Sequence, residues 1–336
     1  MLTNRPTSVR VAAPCRVDLA GGTMDIWPIG VIHPGSLTVN IALPVEVELV
    51  VDLAGDPGSV IHTSLKGEER RFSPEQAISD LTAAVAYSLV PQGGVRIRVV
   101  SQPPLRSGIG GSSSYGIALV RALTELVGQT PAEEHMVALV RDLEARVLVV
   151  PTGEQDHWAA VRGGVLALHL EAGGNRVEAL DVSPGWLNGR MTVFFSGIRH
   201  RSGMVNWQVI RRRLDGDAGT TGAFEEIAAS ARECRAALLA EDEESVAAAI
   251  RREWIARRLL APDVSTVELD ELVAVAREHG ATAVKGCGAG GGGSIVVWHP
   301  VDAREAIVSE LEHASTGGRV LATCAAAEGA RLIPES

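Results

Sequence analysis

The chain has 336 residues, a formal net charge of -10, and an apolar fraction of 46% in which aromatic residues are scarce. That length is generous for one compact domain and comfortable for two. The acid excess disfavours nucleic acid as a partner, because binding to a phosphate backbone is driven by surplus Lys and Arg. No segment approaches the run of about 20 apolar residues that a membrane helix needs. The opening Met1-Leu-Thr-Asn-Arg-Pro lacks the basic start and apolar stretch of a secretory signal, so a cytoplasmic protein is expected. Cys15, Cys234, Cys287 and Cys324 are widely spaced, which suggests neither a zinc site nor a disulfide framework.

In chain order, residues 44–54 alternate like a strand with one wet face. Ser73-Pro-Glu-Gln76 is a capping box with proline at the first helical position, and predicts a helix to Leu89. Val95, Ile97 and Val99 alternate with Arg96 and Arg98 as a half-buried strand does, and Ile117, Leu119, Val120, Leu123 and Val127 then recur at helical spacing. Thr130-Pro-Ala-Glu133 repeats the capping signature and opens a helix that ends before Pro151. Val165–Leu170 and Met191–Phe195 read as strands. Long helices follow near 222–240, 244–260 and 266–279, then strands at Ala281–Val284 and Ser294–Trp298, a helix from Asp302 and two short closing strands. The absence of regular βαβ alternation argues for α+β. The change to long Ala, Arg and Glu-rich helices places a domain boundary near 185–195, giving domains 1–190 and 191–336.

The most informative stretch is Pro104-Leu-Arg-Ser-Gly-Ile-Gly-Gly-Ser-Ser-Ser-Tyr115, which leaves a strand and opens a helix. Free backbone N–H groups and the positive end of the helix dipole lie at such a point, and Gly108, Gly110 and Gly111 let the chain close around an anion. A hydroxyl at Ser112 can ligand the Mg²⁺ that accompanies a nucleoside triphosphate. A flexible Gly-Ser turn is the alternative at this point. Gly-x4-Gly-Lys-[Ser/Thr] is absent, which disfavours a P-loop. Gly288, Gly290 and Gly293 spell a dinucleotide fingerprint, but Ser-Ile-Val-Val-Trp298 follows as a strand where that fingerprint must open a helix.

Two further segments accompany the serine loop: Ala13-Pro-Cys-Arg-Val-Asp-Leu-Ala-Gly-Gly-Thr-Met-Asp25, and Lys285-Gly-Cys-Gly-Ala-Gly-Gly-Gly-Gly293. In this order and spacing the three resemble the motifs of the GHMP kinase superfamily, in its sugar-kinase branch of galactokinase-like and D-glycero-D-manno-heptose 7-phosphate kinase-like enzymes. The resemblance implies a ribosomal-S5-like N-terminal domain and a ferredoxin-like C-terminal domain with the active site between them. It also implies ATP and Mg²⁺ as cofactors and transfer of the γ-phosphoryl group to a sugar or sugar-phosphate hydroxyl. Isoprenoid-pathway kinases and catalytically silent sugar- or nucleotide-sensing relatives stand as alternatives, and a homodimer is left open.

Residue by residue, the resemblance places the ATP phosphates on Gly108, Ile109, Gly110, Gly111, Ser112 and Ser113, backed by a third-motif loop of Lys285, Gly288, Ala289, Gly290 and Gly291. Asp156, in Pro151-Thr-Gly-Glu-Gln-Asp-His157, looks like the catalytic carboxylate of the branch's Gly-x-Gln-Asp segment. Read from residues alone, it can also serve as a helix N-cap, a role compatible with the first. Arg16 matches the basic residue beside that carboxylate, and Glu144 aligns with the second metal ligand after Ser112. Gly22, Thr23 and Asp25 match the acceptor-binding segment, with Met24 inserted between Thr23 and Asp25. Gly111 also stands where a serine is usual. Only Lys66 and Lys285 are lysines, and Lys285 is read as opening the third loop, with a solvated turn as its alternative. Arg199 and Arg201 in Arg199-His-Arg-Ser202 can clamp an acceptor phosphate, or form a solvated loop before Arg211–Arg213. The polar segment His33–Asn40 adds candidate sugar contacts without a fixed role.

Overall fold

Two long strands organise the N-terminal half. Strand β1 (Ser8–Ala20) is buried along nearly its whole length, as a strand covered on both faces must be. It pairs antiparallel with β2 (Leu37–Pro57), in register Val9↔Val51 and Val17↔Ile41, with irregularities at Pro14/Cys15 and Asp18/Ala20. Those bulges bracket Arg16 and Asp18, the kind of local kink that re-aims side chains. The structure, a computed structural model, describes residues 6–198, 204–288 and 290–334.

Between β1 and β2 lies the short helix α1 (Ile29–Ile32). After β2 come β3 (Val60–Thr63), β4 (Glu69–Phe72), α2 (Leu81–Leu89), β5 (Gly93–Ser101), α3 (Gly111–Val127), α4 (Glu133–Leu148), α5 (Gln155–Arg162), β6 (Val165–His169) and β7 (Arg176–Ala179). The second half holds α6 (Pro184–Leu187), β8 (Met191–Phe195), α7 (Met204–Leu214), α8 (Ala218–Leu239), α9 (Glu243–Leu260), α10 (Val267–Glu278), β9 (Ala283–Gly286), β10 (Ser294–Trp298), α11 (Arg304–Ala314), β11 (Arg319–Ala322) and β12 (Arg331–Leu332). Among the described residues these strands form two sheets. One runs β12-β1-β2-β5-β3-β4 with β6 and β7 extending from the other end of β2, and one runs β11-β8-β10-β9. The closing strand β12 returns to pair with β1. The architecture is α+β, and Ile117, Leu119, Val120 and Leu123 bury one stripe of α3 in the core of the first half.

The capping box at Ser73 does form, but it opens only a 3₁₀ turn over Pro74–Ile78. The helix expected to run through to Leu89 starts afresh at α2, because the Asp80 carboxylate accepts from the amides of Thr82 at 2.9 Å and Ala83 at 3.3 Å and so caps a new start. At Thr130 the signature also misleads slightly: α4 begins at Glu133 with Ala132 at its N-cap and no side-chain cap.

Candidate active site

Helix α3 begins where Gly110 takes the left-handed backbone (φ 75°), a conformation that favours glycine. The first amides of the helix therefore have no partner within it and face outward. The loop before it is pinned to β1: the Arg16 amide donates to the Ile109 carbonyl at 3.0 Å, and Arg16 Nη1 donates to the Gly108 carbonyl at 3.0 Å. Ser112 and Ser113 donate their hydroxyls to the two oxygens of Glu144, at 2.6 and 2.9 Å. Glu144 is buried on α4, and His157 Nε2 lies 2.8 Å from it. Burial raises the Glu144 pKa, but the His157 ring and the two serines outweigh it and hold the carboxyl below its usual range. Ser114 turns inward and donates to the Pro14 carbonyl at 2.8 Å.

The third glycine loop packs backbone to backbone on this one. A side chain at Gly288 would put its Cβ 2.8 Å from the Gly108 carbonyl oxygen, so only glycine permits the approach. Lys285 is not part of that loop. It belongs to β9 with its side chain fully buried, which overturns both the loop assignment and the solvated-turn alternative. The reason is two buried carboxylates: Lys285 Nζ donates to Asp18 Oδ2 at 2.7 Å and lies 3.0 Å from Glu253 Oε2. Gly290 and Gly291 turn toward the 3₁₀ turn at Pro262–Val264, where the Gly291 amide donates to the Val264 carbonyl at 2.9 Å. Ala289 lies outside the described residues.

Asp156 stands in the first turn of α5, whose N-cap is Glu154, so the carboxylate projects from a helix rather than from a turn and does not itself cap it. Arg16 holds it with two nitrogens, Nε at 2.6 Å and Nη2 at 2.5 Å from Oδ1. Burial alone would lower the Arg16 pKa, but Asp156 and then Asp18 reverse the effect and keep it charged. The Asp156 side chain is 25% exposed, and a Cβ on Gly110 would sit 3.1 Å from Oδ2. A carboxylate with one open face is thus set over the free amides of α3.

Beneath it lies a charge cluster that sequence reasoning missed. Asp18, fully buried, lies 3.7 Å from Arg16 Nη1, accepts from Lys285, from Arg257 Nη2 at 3.4 Å and from the Gly288 amide at 3.0 Å. Burial pushes the Asp18 pKa up, yet Lys285, Arg257 and Arg16 together hold it well below the carboxylate range. Arg257 also donates Nε to Glu253 at 2.9 Å. Two signals were present: Asp18 is two residues from Arg16 on a strand and shares its face, and Glu253 and Arg257 are four apart on a helix.

Of the acceptor segment, Gly22 lies against Arg257 and Thr23 accepts from its Nη1 at 3.4 Å. Asp25 is only 8% exposed. Its Oδ2 accepts from the amides of Glu154 (2.8 Å) and Gln155 (3.0 Å), and its Oδ1 accepts from Gln155 Nε2 at 3.3 Å. It therefore caps α5 and ties the segment to Asp156, a task the sequence reading did not give it. Burial raises its pKa to about 6, with the Gln155 amide opposing and the Asp156 charge assisting. Asp25 also lines a cleft of about 490 Å³ whose walls include Trp27, Arg141, Glu154 and Asn175. In the His33–Asn40 segment, His33 Nε2 accepts from Arg213 Nε at 2.9 Å, so this part of it is occupied internally. Arg199 and Arg201 lie outside the described residues.

Residues 75–164 match the GHMP kinases N terminal domain and residues 234–315 the GHMP kinases C terminal domain, together half of the chain. The chain belongs to the GHMP kinase family. Among the relatives of this GHMP kinase, D-glycero-alpha-D-manno-heptose 7-phosphate kinase of Campylobacter jejuni is 24% identical, over 85% of this chain and 88% of that one. Mevalonate kinase of Aeropyrum pernix is 26% identical over 97% and 98%. The galactokinase of Lactococcus lactis, solved with galactose, superposes with a TM-score of 0.76 at 14% identity, covering 96% of this chain and 95% of that one. The shared fold is thereby established for both halves, and ATP is the family's phosphoryl donor. No helix among the described residues is long and apolar enough to cross a membrane.

Proposed function

We propose that this GHMP kinase transfers the γ-phosphoryl group of ATP to a hydroxyl of a sugar, with Asp156 receiving that hydroxyl's proton. The observation that carries the reading is the Asp156 carboxylate, gripped by Arg16 and set over the N-terminus of α3. In this reading the α3 amides and the Gly108–Ser113 loop hold the triphosphate. The acceptor oxygen bonds to the γ-phosphorus as the bond to the ADP oxygen breaks, and the acceptor proton passes to Asp156. Arg16 orients the Asp156 carboxylate and offsets the negative charge that spreads over the transferring oxygens.

Mg²⁺ suits the donor set at Ser112 and Glu144, where a hydroxyl and a carboxylate oxygen come together at 2.6 Å, because hard oxygen ligands are what that ion selects. Ser112 and Glu144 would hold the ion there, and it would supply positive charge against the phosphates. The leaning toward a sugar over mevalonate rests on Gly153-Glu-Gln-Asp156 and Ala20-Gly-Gly-Thr23, and on the polar groups around Asp25.

Asp156→Asn tests the assignment. Phosphoryl transfer should fall by about a thousandfold or more while ATP affinity stays within a few-fold, because the carboxylate serves the acceptor. Turnover by the Asn variant near the wild-type rate, in a coupled ADP assay over free sugars, sugar phosphates and mevalonate, would remove Asp156 from the chemistry.

A further inference from the structure

Three segments of the candidate site, remote from one another in the chain, come together over one buried side chain of α9. Arg257 is 2% exposed, so it is enclosed by protein on every side. Its guanidinium divides between the two halves of the molecule. Nε donates to Glu253 on its own helix at 2.9 Å, and Nη2 donates to Asp18 of β1 at 3.4 Å. Nη1 donates at 3.4 Å both to the Thr23 hydroxyl and to the Gly288 carbonyl. The approach is close: a Cβ on Gly22 would stand 2.3 Å from Nη2, so a glycine is what lets the first motif lie against the guanidinium.

Asp18 carries the same connection on to the phosphate loop. Its Oδ1 accepts from the Gly288 amide at 3.0 Å and lies 3.7 Å from Arg16 Nη1, which itself donates to the Gly108 carbonyl at 3.0 Å. Arg257 thus ties Thr23 to Gly288, Asp18 ties Gly288 to Arg16, and Arg16 ties Gly108 to Asp156. A second cation is needed here for charge balance, since Lys285 Nζ alone faces both Asp18 at 2.7 Å and Glu253 at 3.0 Å. Any cation would meet that need. Reaching Asp18, Thr23 and Gly288 together requires the rigid five-donor fork of an arginine.

Resting on the kinase reading above, we propose that Arg257 is a positioning residue: from the second half of the chain it sets the placement of the Gly22–Thr23 segment, on the acceptor side, relative to the phosphate loop and Asp156. The rate of transfer is steep in that placement, because a misplacement of about 1 Å can cost on the order of a hundredfold. Loss of the fork should therefore lower kcat far more than it weakens ATP binding.

The test uses the full chain and two variants. Arg257→Lys keeps the charge and loses the fork. Glu253→Leu combined with Arg257→Met removes an anion and a cation together and leaves Asp18 paired with Lys285, so stability in urea should stay near that of the wild type. Both variants should bind ATP within about threefold of the wild type in calorimetry, while kcat in the coupled ADP assay falls about ten- to a hundredfold. Amide hydrogen exchange over residues 18–24 and 284–288, read without any substrate, should speed up in both variants. A kcat that follows stability back to the wild-type value in the double variant, or stays unchanged in Arg257→Lys, overturns the proposal. Unchanged exchange in the two segments does the same, as does a loss of ATP affinity in proportion to kcat. Faster exchange in the variants of a chain whose wild type transfers phosphoryl groups to no acceptor would instead overturn the kinase reading and leave the tie between the segments standing.

Discussion

The interior cluster of Asp18, Glu253, Arg257 and Lys285 and the cleft of Asp25, Glu154 and Trp27 are both rich in charge, and they are organised in opposite ways. In the cluster every charge is dry and faces an opposite one, and the contacts run from β1 of one sheet to β9 of the other and to α9. In the cleft the carboxylates outnumber the cation, and an indole stands in solvent. Saturated charge holds elements together; unsaturated charge beside an apolar face leaves polar groups open to solvent and ligands. Arg16 ties the cluster to the catalytic candidate, touching Asp18 on one side and Asp156 on the other.

The contrast is broken most severely by Lys285→Met. Removing one member of a buried ion network strands the others, so about 3–5 kcal/mol of stability should be lost in urea unfolding. Adding Asp18→Asn removes the orphaned carboxylate and should return a large part of that loss. A single variant within about 1 kcal/mol of wild type would show that the cluster is not the strut described. At the cleft rim, Glu171→Ala should change stability by less than about 0.5 kcal/mol.

How far each region could be read from the sequence follows from the same difference. The strand at Met191–Phe195, the helix α3 and both glycine loops announce themselves through local pattern, and α9 and α10 fall within a residue or so of their expected limits. Lys285 was conspicuous as a rare lysine, but its fate depends on Asp18 and Glu253, which are distant in the chain and reveal nothing by spacing relative to it. The break before α2 was hidden because two good caps, Ser73 and Asp80, lie in succession about two helical turns apart. Asp25 was recognised by motif, whereas its capping of α5 needs the fold to bring residues 25 and 154 together.

Asp25 gives a smaller effect of opposite sign. Its pKa rises from 3.8 to about 6 on folding, so between those values the native state holds a proton that the unfolded chain has released. Stability from this group therefore falls as pH rises through that window, and the penalty is complete above about pH 6. Asp25→Asn should raise stability near neutral pH by on the order of 1–3 kcal/mol and by almost nothing near pH 4, while acceptor KM increases. Equal stabilisation at both pH values would remove ionisation as the cause.

The smallest effects separate two neighbouring serines. Ser114 is buried and spends its hydroxyl on the Pro14 and Gly110 carbonyls at 2.8 and 3.0 Å, which joins α3 to β1. Losing a buried hydrogen bond of this kind costs about 1 kcal/mol, so Ser114→Ala should lower the unfolding midpoint and leave kinetic constants nearly unchanged. Ser112 is exposed and offers its oxygen, with Glu144, to the side where the α3 amides open. Its replacement by alanine should spare stability and lower kcat/KM for ATP by about tenfold, the worth of one charge-assisted contact. The two readouts cross: one serine moves the midpoint, the other the rate. If both variants lost activity alike, the phosphate loop would have to be read one residue further along, with Gly111 having shifted the register of the helix start.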